Sequence, residues 1–259
     1  MDLVYPFSGF VVGAVVGLTG VGGGSLMTPL LILAFGVAPA TAVGTDLIYA
    51  AVTKSAGVVV HARHGNIDWR TTGWLAAGSV PAAGVTLWVL HTLAANQKAI
   101  AAVLMTTLGF ALFATAVALM LRGRLVRAAA RESAVSIPRR ASSRPKATVA
   151  LGIVLGALVT LSSVGAGALG TVALLMLFPR NGTSRIVGTD IAHAVPLTLV
   201  AGLGHAALGS IDWALLASLV AGSIPGIWLG SHAASRVPER WLRPLLATVL
   251  VVVGARLVI

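Results

Sequence analysis

The chain has 259 residues, 57% of them hydrophobic and only 10% charged, with a formal net charge of +11 and no cysteine. A soluble domain carries about 25% charged residues, so there is too little polar surface here to cover a globule in water. The lack of cysteine excludes disulfides, thiolate metal sites and thiol redox chemistry, and leaves the compartment open.

Apolar runs joined by short polar segments match what about 30 Å of hydrocarbon requires of helices, roughly 20 residues each. We expect an all-α polytopic membrane protein, because the alternating segments of an outer-membrane barrel are missing. Residues 1–10 hold no Lys or Arg, so a cleavable signal peptide is not expected. The first apolar run is interrupted by GLTGVGGGSLMTP, Gly17 to Pro29, with five glycines, three of them consecutive. The flanking pieces, Leu3 to Thr19 and Ser25 to Phe35, are short for spans, which predicts a broken helix or helical hairpin. A break in hydrocarbon leaves backbone groups unpaired and is tolerated only inside protein or beside a water-filled cavity. The second piece then presents free amides and the positive end of its dipole, which suits an anion. Glycine lets an oxyanion approach the backbone, and Ser25 and Thr28 add hydroxyls. The alternative is that these glycines only let helices pack closely.

Further along, Asp46, Lys54 and later Asp190 are the charged residues within apolar segments. Each costs about 2.5–3.5 kcal/mol at a helix centre on insertion scales, so each should face a cavity or a partner. Lys54 reads either as a countercharge for an anion or as a side chain snorkelling to the interface. Asp68 and Asp212, each before a Trp, read as helix N-caps beside interfacial anchors. His61 and His205 read as interfacial residues at helix ends. Residues 122–146 carry +7 of the +11 net charge, from seven Arg and Lys146 against Glu132. That segment reads as a cytoplasmic loop obeying the positive-inside rule. Lipid headgroups are the runner-up partner, and nucleic acid is not expected without interleaved aromatics. The loop divides the chain into a first transmembrane repeat, 1–121, and a second, 147–259.

The two halves are alike. With a shift of 144 residues, 16 of the 39 positions from Val43 to Pro81 are identical to Val187 to Pro225. VGTD falls on VGTD, and Ile67-Asp68-Trp69 on Ile211-Asp212-Trp213. One residue of slippage earlier, Gly22 and Gly24 meet Gly165 and Gly167, with pieces Thr148 to Ser162 and Ala168 to Phe178 around them. Basic joints place His61 to Arg70, Arg180 to Arg185 and Ser235 to Arg243 inside, whereas Gly209 to Asp212 falls outside. We therefore expect two inverted-topology repeats, each a Gly-broken helical hairpin plus three spanning helices, as in many secondary transporters. Asp46 and Asp190 are repeat mates that could meet near the pseudo-twofold axis. Two carboxylates sharing a site resist double ionisation, which suits proton coupling; alternatively each is structural and accepts from the broken helix of its own half. His193, the mate of Tyr49, is a candidate lining residue. Lys54 has Thr198 as its mate, so the site is not symmetric.

Enzyme readings fit poorly. The glycine loop lacks the Lys of a phosphate-cradling loop and the last glycine of a dinucleotide fingerprint. An intramembrane serine hydrolase on Ser25 would lack a nucleophile elbow. No cofactor and no metal site are expected.

GVGGGSLMTPLL, PATAVGTDLIYAAVTKSAG and GNIDW resemble the first half of the sulfite exporter TauE/SafE family. VGAGALGTVALL, RIVGTDIAHA and GSIDW resemble its second repeat, so the resemblance covers essentially the whole chain. It implies a multi-pass transporter of the bacterial inner membrane that moves sulfite or small organosulfur anions, usually outward. It carries over Gly22, Gly23, Gly24, Ser25, Thr45, Asp46 and Lys54, with Gly165, Gly167, Thr189 and Asp190 on the second side. Ala166 and Ala168 replace a glycine and a serine of the fuller first pattern. A passive anion channel is the competing reading, disfavoured by the paired buried aspartates. Substrate identity, direction, coupling ion and homo-oligomerisation are left open by the sequence.

Overall fold

The computed structural model describes residues 3–19, 23–93, 95–135, 144–233 and 239–258. Among them are ten helices and no strand. In the first half, α1 (Val4–Thr19) and α2 (Gly24–Leu33) flank the first glycine break. They are followed by α3 (Pro39–Arg63), α4 (Trp69–Thr92) and α5 (Gln97–Val135). In the second half, α6 (Pro145–Ser162) and α7 (Ala168–Leu177) flank the second break, followed by α8 (Thr183–Ala207), α9 (Trp213–Ala233) and α10 (Glu239–Val258). Each half is thus a broken hairpin plus three helices, as the sequence predicts. Six helices among the described residues (α3, α4, residues 97–127 of α5, α6, α8 and α9) are long and apolar enough to cross a membrane.

Local chemistry sets the boundaries. Pro39 and Pro145 occupy the first helical turn of α3 and α6, where the missing N–H costs nothing. Asp68 caps α4 by accepting from the Thr71 amide at 3.2 Å, and Asp212 accepts from the Leu215 amide at 2.9 Å at the start of α9. Both aspartates are therefore the caps that their position before Trp suggests. Residues 122–135 of the basic segment continue α5 instead of forming a loop. Residues 136–143 of that segment, and 234–238 of the last basic joint, lie outside the described residues.

The halves are assembled by exchange. The first helix of each packs on the fourth helix of the other, α1 on α9 and α6 on α4. Repeat mates pair directly, α3 with α8 and α5 with α10. The α1–α9 seam is built of glycines that leave no room for a β-carbon. One at Gly9, Gly13 or Gly17 would lie 2.4–2.6 Å from a backbone oxygen of α9. One at Gly222, Gly226 or Gly230 would lie 1.8–2.2 Å from a backbone oxygen of α1. Small residues four apart let helix backbones touch where lipid supplies no hydrophobic drive. Gly78, Gly152 and Gly156 do the same between α4 and α6.

The α3–α8 pair runs antiparallel. Gly44, near the start of α3, abuts His205 and Ser210 at the end of α8, and Gly188, near the start of α8, abuts His61 and Asn66 at the end of α3. Hydrogen bonds repeat this reciprocity: the Asp212 amide donates to Thr45 Oγ1 at 3.1 Å, and the Asp68 amide to Thr189 Oγ1 at 3.0 Å. At the second of these ends, Arg185 Nη2 stands 3.8 Å from Asp68 Oδ2.

Candidate substrate site at the paired helix breaks

The two glycine breaks, 143 residues apart in sequence, lie against each other. A β-carbon on Gly24 would lie 2.1 Å from the Ser163 carbonyl oxygen and 3.0 Å from its Oγ. Where they meet is a small cavity of about 10 Å³, lined by Gly24, Ser25, Thr115, Ser163, Val164, Gly165, Ala166 and Ala168. That is room for about one water. Both hairpins and α5 contribute to its wall.

Helix ends explain the lining. Gly23 is the N-cap of α2, and its carbonyl accepts from the amides of Leu26 and Met27 at 2.9 and 2.8 Å. A β-carbon there would meet the edge of the Tyr49 ring at 2.9 Å. On the other side α6 ends at Ser163, whose φ of 57° makes it the one non-glycine residue in the left-handed region among those described. Gly165 (φ 130°) and Gly167 (φ 134°) complete the turn into α7 in conformations that L side chains rarely adopt.

Behind the cavity lie the buried charges. Asp46 is fully buried and accepts from Thr28 Oγ1 at 2.5 Å through Oδ2. Asp190 accepts from Thr171 Oγ1 at 3.0 Å in the same way. Each carboxylate is held by the second hairpin helix of its own half through a threonine hydroxyl, and Asp190 also takes the expected backbone contact, at Gly167 in the break of its own half. In each case Oδ1 has no hydrogen-bond partner among the described residues. Lys54 does not snorkel: its Nζ donates to the Ala166 carbonyl at 2.7 Å, inside the second break, and it interacts with both Asp190 and Asp46.

The two aspartates are not adjacent. Gly57 faces Ile191 across the antiparallel α3–α8 crossing, so Asp46 lies about 18 Å along α3 from the level of Asp190, at about 1.5 Å per residue. Lys54 is on the stretch between them. An antiparallel pair of mates puts matching residues on opposite sides of the crossing, and the sequence alignment alone gives no hint of that separation.

Of the other candidate site residues, Gly22 lies outside the described residues. Thr45 and Thr189 turn away from the cavity and tie α3 and α8 to the joints of the opposite half. His193 is fully buried, with Nε2 2.8 Å from Ser79 Oγ. Tyr49 faces Ser223, the repeat mate of Ser79, so the pair recurs in both halves. Nδ1 of His193 has no partner among the described residues, and a nucleophilic Ser–His relay needs a group there to orient the imidazole. His205 departs from expectation. It is 1% exposed and not interfacial, with Nε2 donating to the Thr160 carbonyl at 3.0 Å across the exchanged α6. Sequence reading missed Ser163 and Thr115. Ser163 falls beside the glycine-bearing motif of the second half, while Thr115 sits in an apolar stretch of α5 with no motif around it. No group of three or more metal-ligating side chains occurs among the described residues.

Comparison with known proteins agrees with this architecture. The sulfite exporter TauE/SafE family model matches residues 5–257. A probable membrane transporter protein of Bacillus subtilis (strain 168), YjnA, is 40% identical over the full length of both chains. A second from that organism, YdhB, is 27% identical over 89% of each chain. One from Xylella fastidiosa (strain Temecula1 / ATCC 700964) is 29% identical over 89% of this chain and 84% of its own. No solved structure matches the chain significantly. The protein is a multi-pass membrane protein, and it belongs to the sulfite exporter TauE/SafE family of membrane transporters.

Proposed function

We propose that the protein is a secondary transporter that exports sulfite or a small organosulfur anion across the bacterial inner membrane, with the anion held between the two helix breaks. The observation that carries this reading is their meeting: glycine-lined helix ends from both halves converge on one buried polar cavity, with Lys54 anchored on its rim. Irregular backbone inside a membrane protein is expected where it lines a substrate path. The antiparallel α3–α8 pair supports inverted topology, since matched helices that run in opposite directions must enter the bilayer from opposite sides. The cavity is the size of a water, so an anion enters only when the breaks part. A rocking of one half against the other supplies that motion, and it distinguishes the transporter from a passive anion channel. Asp46 and Asp190 are the groups we assign to proton coupling.

Flux of a panel of sulfur anions into proteoliposomes, with and without a pH gradient, tests the reading. We expect saturable sulfite flux driven by the gradient. Gly24→Ala should reduce it at least about tenfold, since a methyl there must push the breaks apart. Flux that never saturates and ignores the gradient would favour a channel.

A further inference from the structure

The basic end of the α5–α10 pair holds an arrangement that an excess of positive charge does not by itself produce. The two helices run antiparallel, with Gly109 against Gly254 and Val258 at one end and Gly123 against Arg243 at the other. The glycine makes room for the Arg243 guanidinium, whose Nη1 would stand 2.6 Å from a β-carbon built on Gly123. Arg127 reaches the same residue from the next turn of α5, its Nε donating to the Gly123 carbonyl at 3.0 Å. Two guanidinium groups from different helices are thus gathered at one glycine. The Asn66 end of α3 differs, for there Arg185 stands beside an acid, Asp68. Paired cations at one point favour an anion, and a planar guanidinium grips a phosphate through two parallel N–H groups.

Depth in the membrane points to the kind of anion. Val103, Phe110 and Val117 are exposed on one face of α5, followed by exposed Met120 and Leu121. From Val103 to Leu121 the helix rises about 27 Å, close to the ~30 Å of hydrocarbon. Exposed Arg124 follows Val117 by seven residues, and exposed Arg127 follows Met120 by seven. The lipid-facing side of α5 therefore runs directly into arginines, within about 9 Å of Leu121. On α10 the order is mirrored: Arg243 comes first, then exposed Leu245, Val249 and Val252. The meeting point at Gly123 lies at headgroup depth, with apolar helix faces leading away from it into the bilayer. A free anion would use only the arginines, whereas a phospholipid uses both.

We propose that the α5–α10 junction at Gly123 is a binding site for an anionic phospholipid, its phosphate held between Arg127 and Arg243. The acyl chains lie along the exposed apolar faces of α5 and α10, and Arg124 adds charge at the rim. Neither Arg127 nor Arg243 lines the cavity between the helix breaks, so this site stands apart from the proposed transport site and is tested without it.

The test titrates phosphatidylglycerol, phosphatidylcholine and inorganic phosphate into the purified full-length protein in a non-ionic detergent. Affinity is read from the rise in melting temperature that each produces. Phosphatidylcholine carries the same phosphate without net charge, so wild type should bind phosphatidylglycerol at least about tenfold more tightly. Inorganic phosphate at millimolar concentration should not displace it. Arg127→Gln and Arg243→Gln should each weaken phosphatidylglycerol about fivefold, the share of one basic residue at an anionic surface. Glutamine keeps the helix propensity of arginine, and Arg127 is exposed, so at least that variant should fold as wild type does. Arg63→Gln and Arg70→Gln remove the same charge from exposed positions at the Asn66 end. Helices α4 and α5 cross and return, which puts that end on the same side as Gly123, and these two variants should bind phosphatidylglycerol like wild type. Equal losses in all four variants would mean diffuse attraction to the whole basic surface and overturn the site. Unchanged affinity in both Arg127→Gln and Arg243→Gln overturns it as well, and displacement by inorganic phosphate would make it a free-anion site instead.

Discussion

Asp46 and Asp190 occupy matched places and make matched bonds, each to a threonine of its own hairpin and each with one oxygen unpaired among the described residues. They are not equivalent in role, because Lys54 has no charged mate and docks on the second break alone. If either carboxylate carries the coupled proton, its neutral amide should keep substrate binding and lose the response of flux to pH. Asp46→Asn and Asp190→Asn, reconstituted separately, should both bind anion, and at least one should show a flat pH profile of flux. A purely structural carboxylate predicts the reverse: weakened folding, with the pH profile of any residual flux unchanged. The candidate site was legible in the sequence as far as residue type went. Buried charges and a repeated glycine break stand out in an apolar chain because both are costly there. Which side chains reach the cavity was not legible. Thr45 and Thr189 sit in the repeated VGTD motif beside the aspartates, yet a step of one residue turns a helical side chain by about 100°. Ser163 carries no signal of its own, since its left-handed backbone is a property of how α6 ends.

At the scale of elements, the helix ends at the two breaks and at the Asp–Trp caps were readable to within about two residues, because glycine and the caps mark them locally. The end of α5 was not: the basic residues read as a loop continue the helix to Val135. Partner choice was not readable either. The exchange of α1 onto α9 and α6 onto α4 is encoded in glycines spaced four apart, a pattern that says a helix will pack closely without saying on what. The seam has no slack for side chains, so it should be the most substitution-sensitive surface in the protein. A β-carbon on Gly222 would sit 1.8 Å from the Pro6 carbonyl oxygen, with only rigid backbone to yield. Gly222→Ala should therefore destabilise the detergent-solubilised protein by about 1–3 kcal/mol, the usual range for overpacking. Gly73 and Gly84 provide the contrast: both lie in α4 with nothing within 4 Å of a built β-carbon. Alanine at either should be neutral or stabilising by up to about 1 kcal/mol, since it only improves helix propensity. Thermal unfolding of the three variants side by side checks this. Equal losses in all three would mean that the seam is no tighter than an ordinary lipid-facing glycine.

At the scale of the whole molecule, orientation follows from one helix pair. The Asn66 carbonyl packs beside Gly188 where α3 ends, and the Ser210 carbonyl packs beside Gly44 near where α3 begins. Between Gly44 and the joint at Asn66 the chain advances about 30 Å at the α-helical rise, the thickness of the hydrocarbon core. We therefore expect these two repeat mates to emerge on opposite faces of the bilayer. The charges agree: Arg63, Arg70 and Arg185 collect at the Asn66 end, where Arg185 also approaches Asp68, while the joint from Gly209 to Asp212 has no basic residue. By the positive-inside rule we expect the Asn66 end to be cytoplasmic. Because the chain has no cysteine of its own, single cysteines at Asn66 and Ser210 give an unambiguous readout with a membrane-impermeant maleimide. Intact cells should label Ser210→Cys and leave Asn66→Cys unlabelled until the membrane is permeabilised. Labelling of both from one side would mean that α3 and α8 do not cross as antiparallel mates. The pairing of the two breaks at a shared cavity would then need a different architecture to explain it.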